Sequence, residues 1–402
     1  MFPVTLPANV LSKITASGWN RAPGVSLLAA DNDVQAVTIW LREYEDSPLT
    51  QLNYRKEAER FLLWAAQTCG KPLSALSRED IQDYERFLAS PCADWCGPAK
   101  PRFLKLPNGK SVPNPDWRPF TGPLSLASRK QSLTILGSLC RYLCNAGYLL
   151  RNPFSLQRSR NTKGIVQIHD DRWLDHAAFT WLSNWIEMMP RESPIDAAHA
   201  ERARWIIALL YHSAARRAEI AKANMNDIYE KRGKWWLRVT GKGQKSRDIP
   251  VSDTLLDALR RYRHSLRLSA LPGANEETPL ICAVNSGIKR NRLRPIGDHC
   301  VYKTVRVLLQ RASESAQKAE LPQVASQLAK ASTHWLRHTA ASHQLNAGVP
   351  LLMVSQNLGH AAIETTRKYL HTEDDDRHNA TVKSAAATPH SDRLTKPIFG
   401  TS

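Results

Sequence analysis

The sequence has no apolar run of the roughly 20 residues that a helix needs to cross a bilayer. Its start, MFPVTLPANVLSKITASGW, lacks the charged beginning and continuous apolar stretch of a secretory signal. Acidic residues are few beside basic ones, 37 against 55, and they form no cluster with metal-ligand spacing. These absences argue against a membrane-spanning or secreted protein. They predict a cytoplasmic protein that uses neither a metal nor another cofactor.

Cysteine is too sparse for a disulfide framework. Seven cysteines, an odd number, are scattered over 402 residues, which predicts reduced thiols. Cys92 and Cys96, together with Cys140 and Cys144, could supply the four thiolates of a structural zinc site. The second pair is spaced i,i+4 in an apolar helical run, however, and core packing explains such a pair. We therefore predict no zinc.

The excess of basic residues gives a formal net charge of +18 and a pI near 9.8. A balance this basic suits a polyanionic partner, with nucleic acid first and an anionic membrane surface second. The membrane alternative is weaker because no basic amphipathic helix with an aromatic face is evident. The length is enough for two or three domains, each with its own core.

Helical periodicity and chain-breaking residues divide the sequence into five segments. Apolar residues recur at helical spacing in both halves, and a Pro- and Gly-dense stretch interrupts the first half as a long loop or insertion. A polar, basic stretch without periodicity separates the halves, as a strap across DNA or as an ordinary connector. The predicted segments are an N-terminal arm (1–30), a helical domain (31–157) with the insertion (91–123), a linker (158–171), a second domain (172–386) and a flexible tail (387–402).

One β-rich segment interrupts the helices of the second half. In GKWWLRVTGKGQKSRDIPVS, two β-rich runs flank the turn TGKGQKS, which predicts a β-hairpin. The segment before it, HAERARWIIALLYHSAARRAEIAKA, is predicted as one helix, and a last helix is predicted at about 373–386. The predicted fold class is therefore mainly α with a small antiparallel β-sheet (α+β).

Several cationic side chains could bind one anion. His334 and Arg337 are spaced i,i+3, so on a helix capped by Ser332 or Thr333 they share one face. A helix N-terminus with such side chains suits phosphate, although a surface ion pair and a packed histidine would also explain them. Arg216 lies in an apolar helix, where burial would require an anionic partner such as Glu219.

Three further residues complete a candidate site. Lys242 lies at the tip of the predicted hairpin, where it could reach a ligand or simply be solvated. His360 follows a glycine that would end a helix, and Tyr369 lies nine residues later. Two arginines, a lysine and two histidines around a phosphate would neutralise a pentavalent phosphorane, with Tyr369 as the nucleophile. A tyrosine pKa of about 10 makes such an electropositive site necessary.

These motifs resemble those of the tyrosine recombinases, also called phage integrases. LGHAAIETTRKYLH is similar to the family's nucleophile box, HWLRH to its His-x-x-Arg box, and VTGKGQKSRDIPVS to the hairpin that carries its catalytic lysine. LLYHSAARRAEI resembles the first arginine box. The resemblance assigns catalytic roles to Arg216, Lys242, His334, Arg337, His360 and the nucleophile Tyr369, with Glu219 as a supporting residue. Lys245 is the competitor for Lys242 and otherwise a DNA contact.

The resemblance implies a helical, SAM-like core-binding domain followed by a catalytic domain, closing on double-stranded DNA as a clamp. It implies strand cleavage and rejoining through a 3′-phosphotyrosyl link, without metal or cofactor. A homotetramer on synapsed sites, with accessory proteins in some relatives, is implied as well. In the first domain, Arg129, Lys130 and Gln131 begin a helix suited to a DNA groove, or to an ordinary solvated face.

The sequence departs from the family pattern in two places. Ala214-Ala215 stands where Gly-Leu is usual, and the insertion at 91–123 is longer than in compact Xer-type members. The extra length favours a mobile-element recombinase over a chromosome-dimer resolver. The alternatives are a type IB topoisomerase, which shares the tyrosine chemistry, and a DNA-binding protein without activity. The complete set of six residues argues against the latter.

Overall fold

The computed structural model describes residues 8–156, 172–241, 243, 245–284, 293–359, 363 and 366. The chain divides into two compact units, Met1–Val166 and Gln167–Ser402. The described residues are mostly helical with two small antiparallel sheets, which confirms the predicted fold class. The predicted linker and C-terminal helix lie outside the described residues.

The first unit contains five helices. The cap of α4 was predicted from Ser77, and Ser77 and Asp80 do form a reciprocal capping box there. Gly70 ends the turn that follows α3, as predicted. The helices are α1 (Ala8–Thr15), α2 (Asp33–Arg42), α3 (Pro48–Trp64), α4 (Arg78–Ala89) and α5 (Leu126–Asn145).

Aromatic side chains fill the core of this unit. Trp64 from α3 and Tyr84 from α4 are fully buried, and their ring centroids lie 4.9 Å apart. Leu136 and Cys140 from α5 are buried in the same cluster. Burial raises the pKa of the Cys140 thiol, so this cysteine behaves as a small apolar core residue. All seven cysteines are free thiols.

The predicted arm shows no clear periodicity in sequence, yet its described part packs on the helices. Helix α1 begins there, and the Gly18 N–H donates to the Ser74 hydroxyl over 2.9 Å. The guanidinium of Arg21 lies over the Tyr148 ring, 3.8 Å from its centroid, and donates to its hydroxyl. Tyr148 in turn donates to the buried Asp33. Contacts to residues far along the chain therefore hold this segment.

The insertion predicted as a loop contains a short β-hairpin, formed by β1 (Phe103–Lys105) and β2 (Ser111–Pro113). Its base is anchored in the core. Phe120 is buried, with the Arg60 guanidinium 4.3 Å from its ring centroid, and Arg102 forms an ion pair with the buried Glu59. The strand β1 is exposed along its whole length. Only the base of the insertion is therefore packed against the helices.

The second unit packs eight helices around a three-stranded sheet. Helix α7 supplies the fully buried Trp205, whose indole N–H donates to the Leu280 carbonyl over 2.8 Å. The helices are α6 (His176–Glu187), α7 (Pro194–Ser213), α8 (Arg217–Ile220), α9 (Asp253–Ser265), α10 (Asp298–Lys318), α11 (Pro322–Lys330), α12 (Thr333–Asn346) and α13 (Leu351–Leu358). Within the described ranges, no helix has the length and apolar character that crossing a membrane requires.

The predicted hairpin is confirmed. The sheet has the order β3–β4–β5, with β3 (Ile228–Lys231), β4 (Lys234–Thr240) and β5 (Ser246–Pro250) all antiparallel to their neighbours. The inward positions Leu237 and Ile249 are paired across β4 and β5 and are buried in the main core of the unit. The turn between these strands includes Lys242, which lies outside the described residues.

The helix predicted across residues 199–223 is broken. Helix α7 ends at Ser213, because Ala214 adopts a left-handed conformation with φ +49°. The chain then extends through Arg216 before the single turn of α8. The apolar periodicity continues across this break, so the sequence pattern alone could not reveal it.

Candidate active site

The described part of the structure includes four of the seven residues assigned to the site. These are Arg216, Glu219, His334 and Arg337. The predicted catalytic residues Lys242, His360 and Tyr369 lie outside the described residues, so their roles stay predictions.

The centre of the site is the arginine loop, residues 214–219. Arg216 precedes the short helix α8 with extended backbone angles, and its side chain is 47% exposed. One guanidinium nitrogen, Nη1, donates to Glu219 over 3.0 Å. Its Nε and Nη2 make no hydrogen bond within the described part of the chain, so they can donate to an anion from solvent.

Glu219 is the buried anion that the sequence required beside Arg216. Its side chain is 3% exposed and accepts hydrogen bonds from the Arg216 backbone N–H, from Arg216 Nη1 and from both terminal nitrogens of Arg247. Burial alone would raise the pKa of Glu219. The hydrogen bonds from Arg247 and the Arg216 backbone, with the charge of Arg247, outweigh it and lower that pKa to about 2. Glu219 is therefore a permanent carboxylate.

Helix α12 carries the predicted His-x-x-Arg pair. It begins after Ser332, which occupies the N-cap position as predicted but makes no side-chain capping hydrogen bond. His334 is exposed, with its ring centroid 4.3 Å from that of His338, whereas Arg337 is buried. The pair therefore differs strongly in access to solvent.

Arg337 joins two distant segments. Its guanidinium donates to the carbonyl of Ala214 in the arginine loop and to the carbonyl of Leu358 at the end of α13. Gly359 ends α13 with φ +62°, as the sequence predicted. The structure thus brings Arg216, Glu219 and Arg337 to one loop, although Arg337 lies more than a hundred residues from it in sequence.

Arg247 was missed by the sequence analysis. It lies on β5, and its guanidinium pairs with Glu219 at 2.8 and 2.9 Å while Nε donates to the Asn357 carbonyl over 2.9 Å. One signal could have identified it. Arg247 precedes the buried Ile249 by two residues, so both side chains lie on the inward face of the strand. An arginine at an inward position needs an anionic partner.

The predicted DNA contacts lie in two places. Arg129, Lys130 and Gln131 follow the cap Ser125 in the first turns of α5; Lys130 and Gln131 are exposed and Arg129 is partly buried. Lys245 is exposed in the second unit, and its carbonyl accepts the Gly241 N–H over 2.9 Å. None of these positions tests whether the residues touch DNA.

Comparisons with known proteins agree with the motifs. Residues 186–376 match the family model described as the phage integrase family. A tyrosine recombinase XerC of Chlorobaculum parvum is 31% identical over 261 residues, which cover 62% of this chain and 69% of the relative. The chain belongs to the tyrosine recombinase family. It is thus a site-specific recombinase by family.

Two further similarities extend beyond the second unit of this tyrosine recombinase. A XerC of Rhodospirillum centenum is 26% identical over 377 residues, which cover 90% of each chain. The fold is similar to that of a XerH site-specific recombinase, solved in a post-cleavage complex with palindromic difH substrate. That likeness has a TM-score of 0.56 at 16% identity and covers 89% of this chain and 86% of the other. The family and the recombinase fold predicted from the motifs are therefore confirmed.

The arrangement can bind a phosphodiester by side chains and backbone alone. Among the described residues there is no group of three or more His, Cys, Asp or Glu that could hold a metal ion. The positive charge comes instead from arginines fixed by a buried carboxylate and by backbone carbonyls. Such fixed donors stabilise developing negative charge without having to reorganise during the reaction.

Proposed function

We propose that this recombinase cuts and rejoins DNA at a specific site through a covalent 3′-phosphotyrosyl intermediate. The observation that supports the proposal most is the convergence of Arg216, Glu219 and Arg337 on the arginine loop. Arg216 is half exposed and held by a buried carboxylate, an arrangement that suits a guanidinium donating to phosphate oxygens. Arg337 would join it from α12.

The reaction exchanges one phosphoester for another. The Tyr369 oxygen forms a bond to phosphorus, the bond from phosphorus to the 5′-oxygen breaks, and the tyrosine proton passes to a neighbouring base. The leaving 5′-oxygen takes a proton and becomes a free hydroxyl. A 5′-hydroxyl from the partner strand then attacks the phosphotyrosyl link and restores Tyr369. No ATP, metal or redox partner is needed for this balance.

The remaining cations have distinct roles in this proposal. Lys242 protonates the leaving 5′-oxygen, with Lys245 as its competitor and otherwise a DNA contact. His334 and His360 hold the phosphate and assist proton movement to and from Tyr369. Removing one preorganised donor of this kind typically lowers the rate by about 10²–10³-fold.

Double-stranded DNA is the proposed partner, and both units contribute to binding it. The net charge of +18 supplies phosphate contacts that do not depend on sequence. The helical unit would serve as the core-binding domain, with Arg129, Lys130 and Gln131 at a groove. The +18 charge supports this assignment because charged contacts of this kind position a protein on the duplex.

The biological setting follows from the family resemblance. We infer a cytoplasmic enzyme that acts as a homotetramer on two synapsed sites, with accessory proteins where the site requires them. The long insertion and the N-terminal segment favour service to a mobile element. Selecting the fragments of host DNA that the protein binds would identify the site and the element that contains it.

The decisive experiment uses the site recovered by that selection. A duplex bearing it, nicked so that the cleaved fragment diffuses away, should trap a covalent protein–DNA adduct that survives denaturing electrophoresis. Tyr369→Phe should give no adduct, because it removes the attacking oxygen. Tyr229→Phe is the matched control, since Tyr229 lies on β3 and bonds Arg238, and it should give the parent amount of adduct.

Two results would overturn the proposal. If Tyr369→Phe traps as much adduct as the parent, Tyr369 is not the nucleophile. If the purified protein relaxes supercoiled DNA as a monomer without a preferred site, the activity is that of a type IB topoisomerase instead.

A further inference from the structure

We propose that Arg247 is a positioning residue: together with Glu219 it fixes the arginine loop against the hairpin and against the end of α13. This inference rests on the proposed function, and it names a residue outside the six catalytic positions. Arg247 touches no substrate in this proposal. It acts through Glu219 and through the backbone.

The contacts of Arg247 join three segments. From β5, both terminal guanidinium nitrogens donate to the Glu219 carboxylate, which in turn binds the backbone and side chain of Arg216. The third donor, Nε, binds the carbonyl of Asn357 in the last turn of α13. One planar group therefore sets the distance between the arginine loop, the sheet and α13.

Two glycines pack against this pair, and each directly precedes a predicted catalytic residue. Gly241 precedes Lys242, and a β-carbon at Gly241 would lie 3.2 Å from Glu219 Oε1. Gly359 precedes His360, and a β-carbon there would lie only 2.9 Å from Arg247 Cδ and Nε. The chain thus approaches the Arg247–Glu219 pair closely just before both positions.

The end of α13 is bound by two arginines on consecutive carbonyls. Arg247 binds the carbonyl of Asn357, and Arg337 binds that of Leu358. Cations are favourable at a helix C-terminus, where carbonyls lack intrahelical partners. A catalytic arginine and Arg247 therefore share one anchoring point, so displacing Arg247 should also disturb Arg337.

Lysine could not replace Arg247 fully. The observed role needs donors directed at a carboxylate and at a carbonyl simultaneously, which the guanidinium fork provides and a single ammonium does not. Lysine would nevertheless keep a positive charge beside Glu219. The two functions, charge and geometry, can therefore be separated by substitution.

The first test measures covalent adduct formation on the nicked duplex bearing the selected site. Arg247→Gln should lower the single-turnover cleavage rate about 10²-fold, as expected when catalytic groups are misplaced. DNA affinity should change less than about twofold, because Arg247 contacts no DNA here. In an E219Q background the same change should cost much less, since both substitutions break one linkage.

The pH profile distinguishes positioning from a general loss of stability. Among the described residues, the charged side chains that contact Glu219 are Arg216 and Arg247. Without Arg247, the pKa of the buried Glu219 rises, so cleavage by Arg247→Gln should fall as the pH is lowered through the weakly acidic range. Arg247→Lys should keep the parent pH profile but recover only part of the rate.

The matched control is Arg263→Gln. Arg263 is another fully buried arginine of the same unit, paired with Glu276 at 2.8 Å, and it contacts none of the site residues. This variant should lose stability while the folded protein keeps the parent cleavage rate and pH profile. A parent-like rate and profile in Arg247→Gln would overturn the inference.

A second measurement needs no DNA and no activity. In hydrogen–deuterium exchange of the free protein, Arg247→Gln should lose protection both in peptides of the arginine loop and in peptides ending α13. Arg263→Gln should leave both segments protected. If Arg247→Gln leaves them unchanged, the inference is wrong even when the recombinase is active; absence of adduct from the parent would instead refute the proposed function.

Discussion

Replacing Glu219 with glutamine should change the stability of the second unit by an amount that depends on pH. Glu219 has an ordinary pKa of 4.5 and a pKa of about 2 in the folded protein. Each pKa unit is worth about 1.4 kcal/mol, so the carboxylate contributes about 3 kcal/mol near neutral pH. The side chain is 3% exposed, so solvent screening reduces this value little.

The direction follows from the lowered pKa. The stabilisation is complete above the unfolded pKa of 4.5 and is lost as the pH falls toward 2. By pH 3, about 2 kcal/mol of it should be gone, since the unfolded chain binds a proton that the folded protein still rejects. Near pH 7, Glu219→Gln should therefore be less stable than the parent by about 3 kcal/mol, and this difference should shrink toward pH 3.

Urea unfolding followed by pulsed exchange of peptides from α7 would measure this difference in the second unit alone. Helix α7 carries the buried Trp205 and reports on the core of that unit. All other acid effects act on parent and variant alike and cancel in the comparison. An equal difference at pH 7 and pH 3 would refute the argument, because it would mean that Glu219 does not titrate as a buried, arginine-bound carboxylate.

Two further changes test other parts of the molecule. Gly359→Ala should lower the cleavage rate about 10-fold or more and lower the unfolding temperature, because φ +62° is strained for alanine and the new methyl group displaces Arg247; activity equal to the parent would contradict the close packing. Arg129→Ala with Lys130→Ala should lower the slope of log affinity against log salt by about 0.9 per lost phosphate contact, measured on a mixed-sequence duplex, whereas an unchanged slope would place both residues on a solvated face.

The sequence motifs predicted more of the site than of its supports. Ordered boxes identified Arg216, Glu219 and Arg337, and the structure brings these three to one loop. Local patterns of this kind are visible because chemistry fixes both residue type and spacing. The cap Ser77 and the hairpin were predictable for the same reason, since caps and tight turns depend on neighbouring residues.

The features that were missed depend on contacts between distant residues. The break at Ala214 is stabilised by Arg337, far along the chain, so the local periodicity gave no warning. The N-terminal segment is held by partners such as Ser74 and Tyr148, which its own sequence does not reveal. The strands of the insertion are three residues each, too short to show alternation.

Ala214 is a backbone compromise placed beside the chemistry. Left-handed angles are disfavoured for a residue with a β-carbon by about 1–2 kcal/mol, yet the adjoining carbonyl must face Arg337 for the site to assemble. Part of the folding energy is thus spent on aiming one peptide group. Anyone seeking a hardier form of this enzyme has a single candidate position for relief, where glycine would keep the carbonyl aimed and remove the strain.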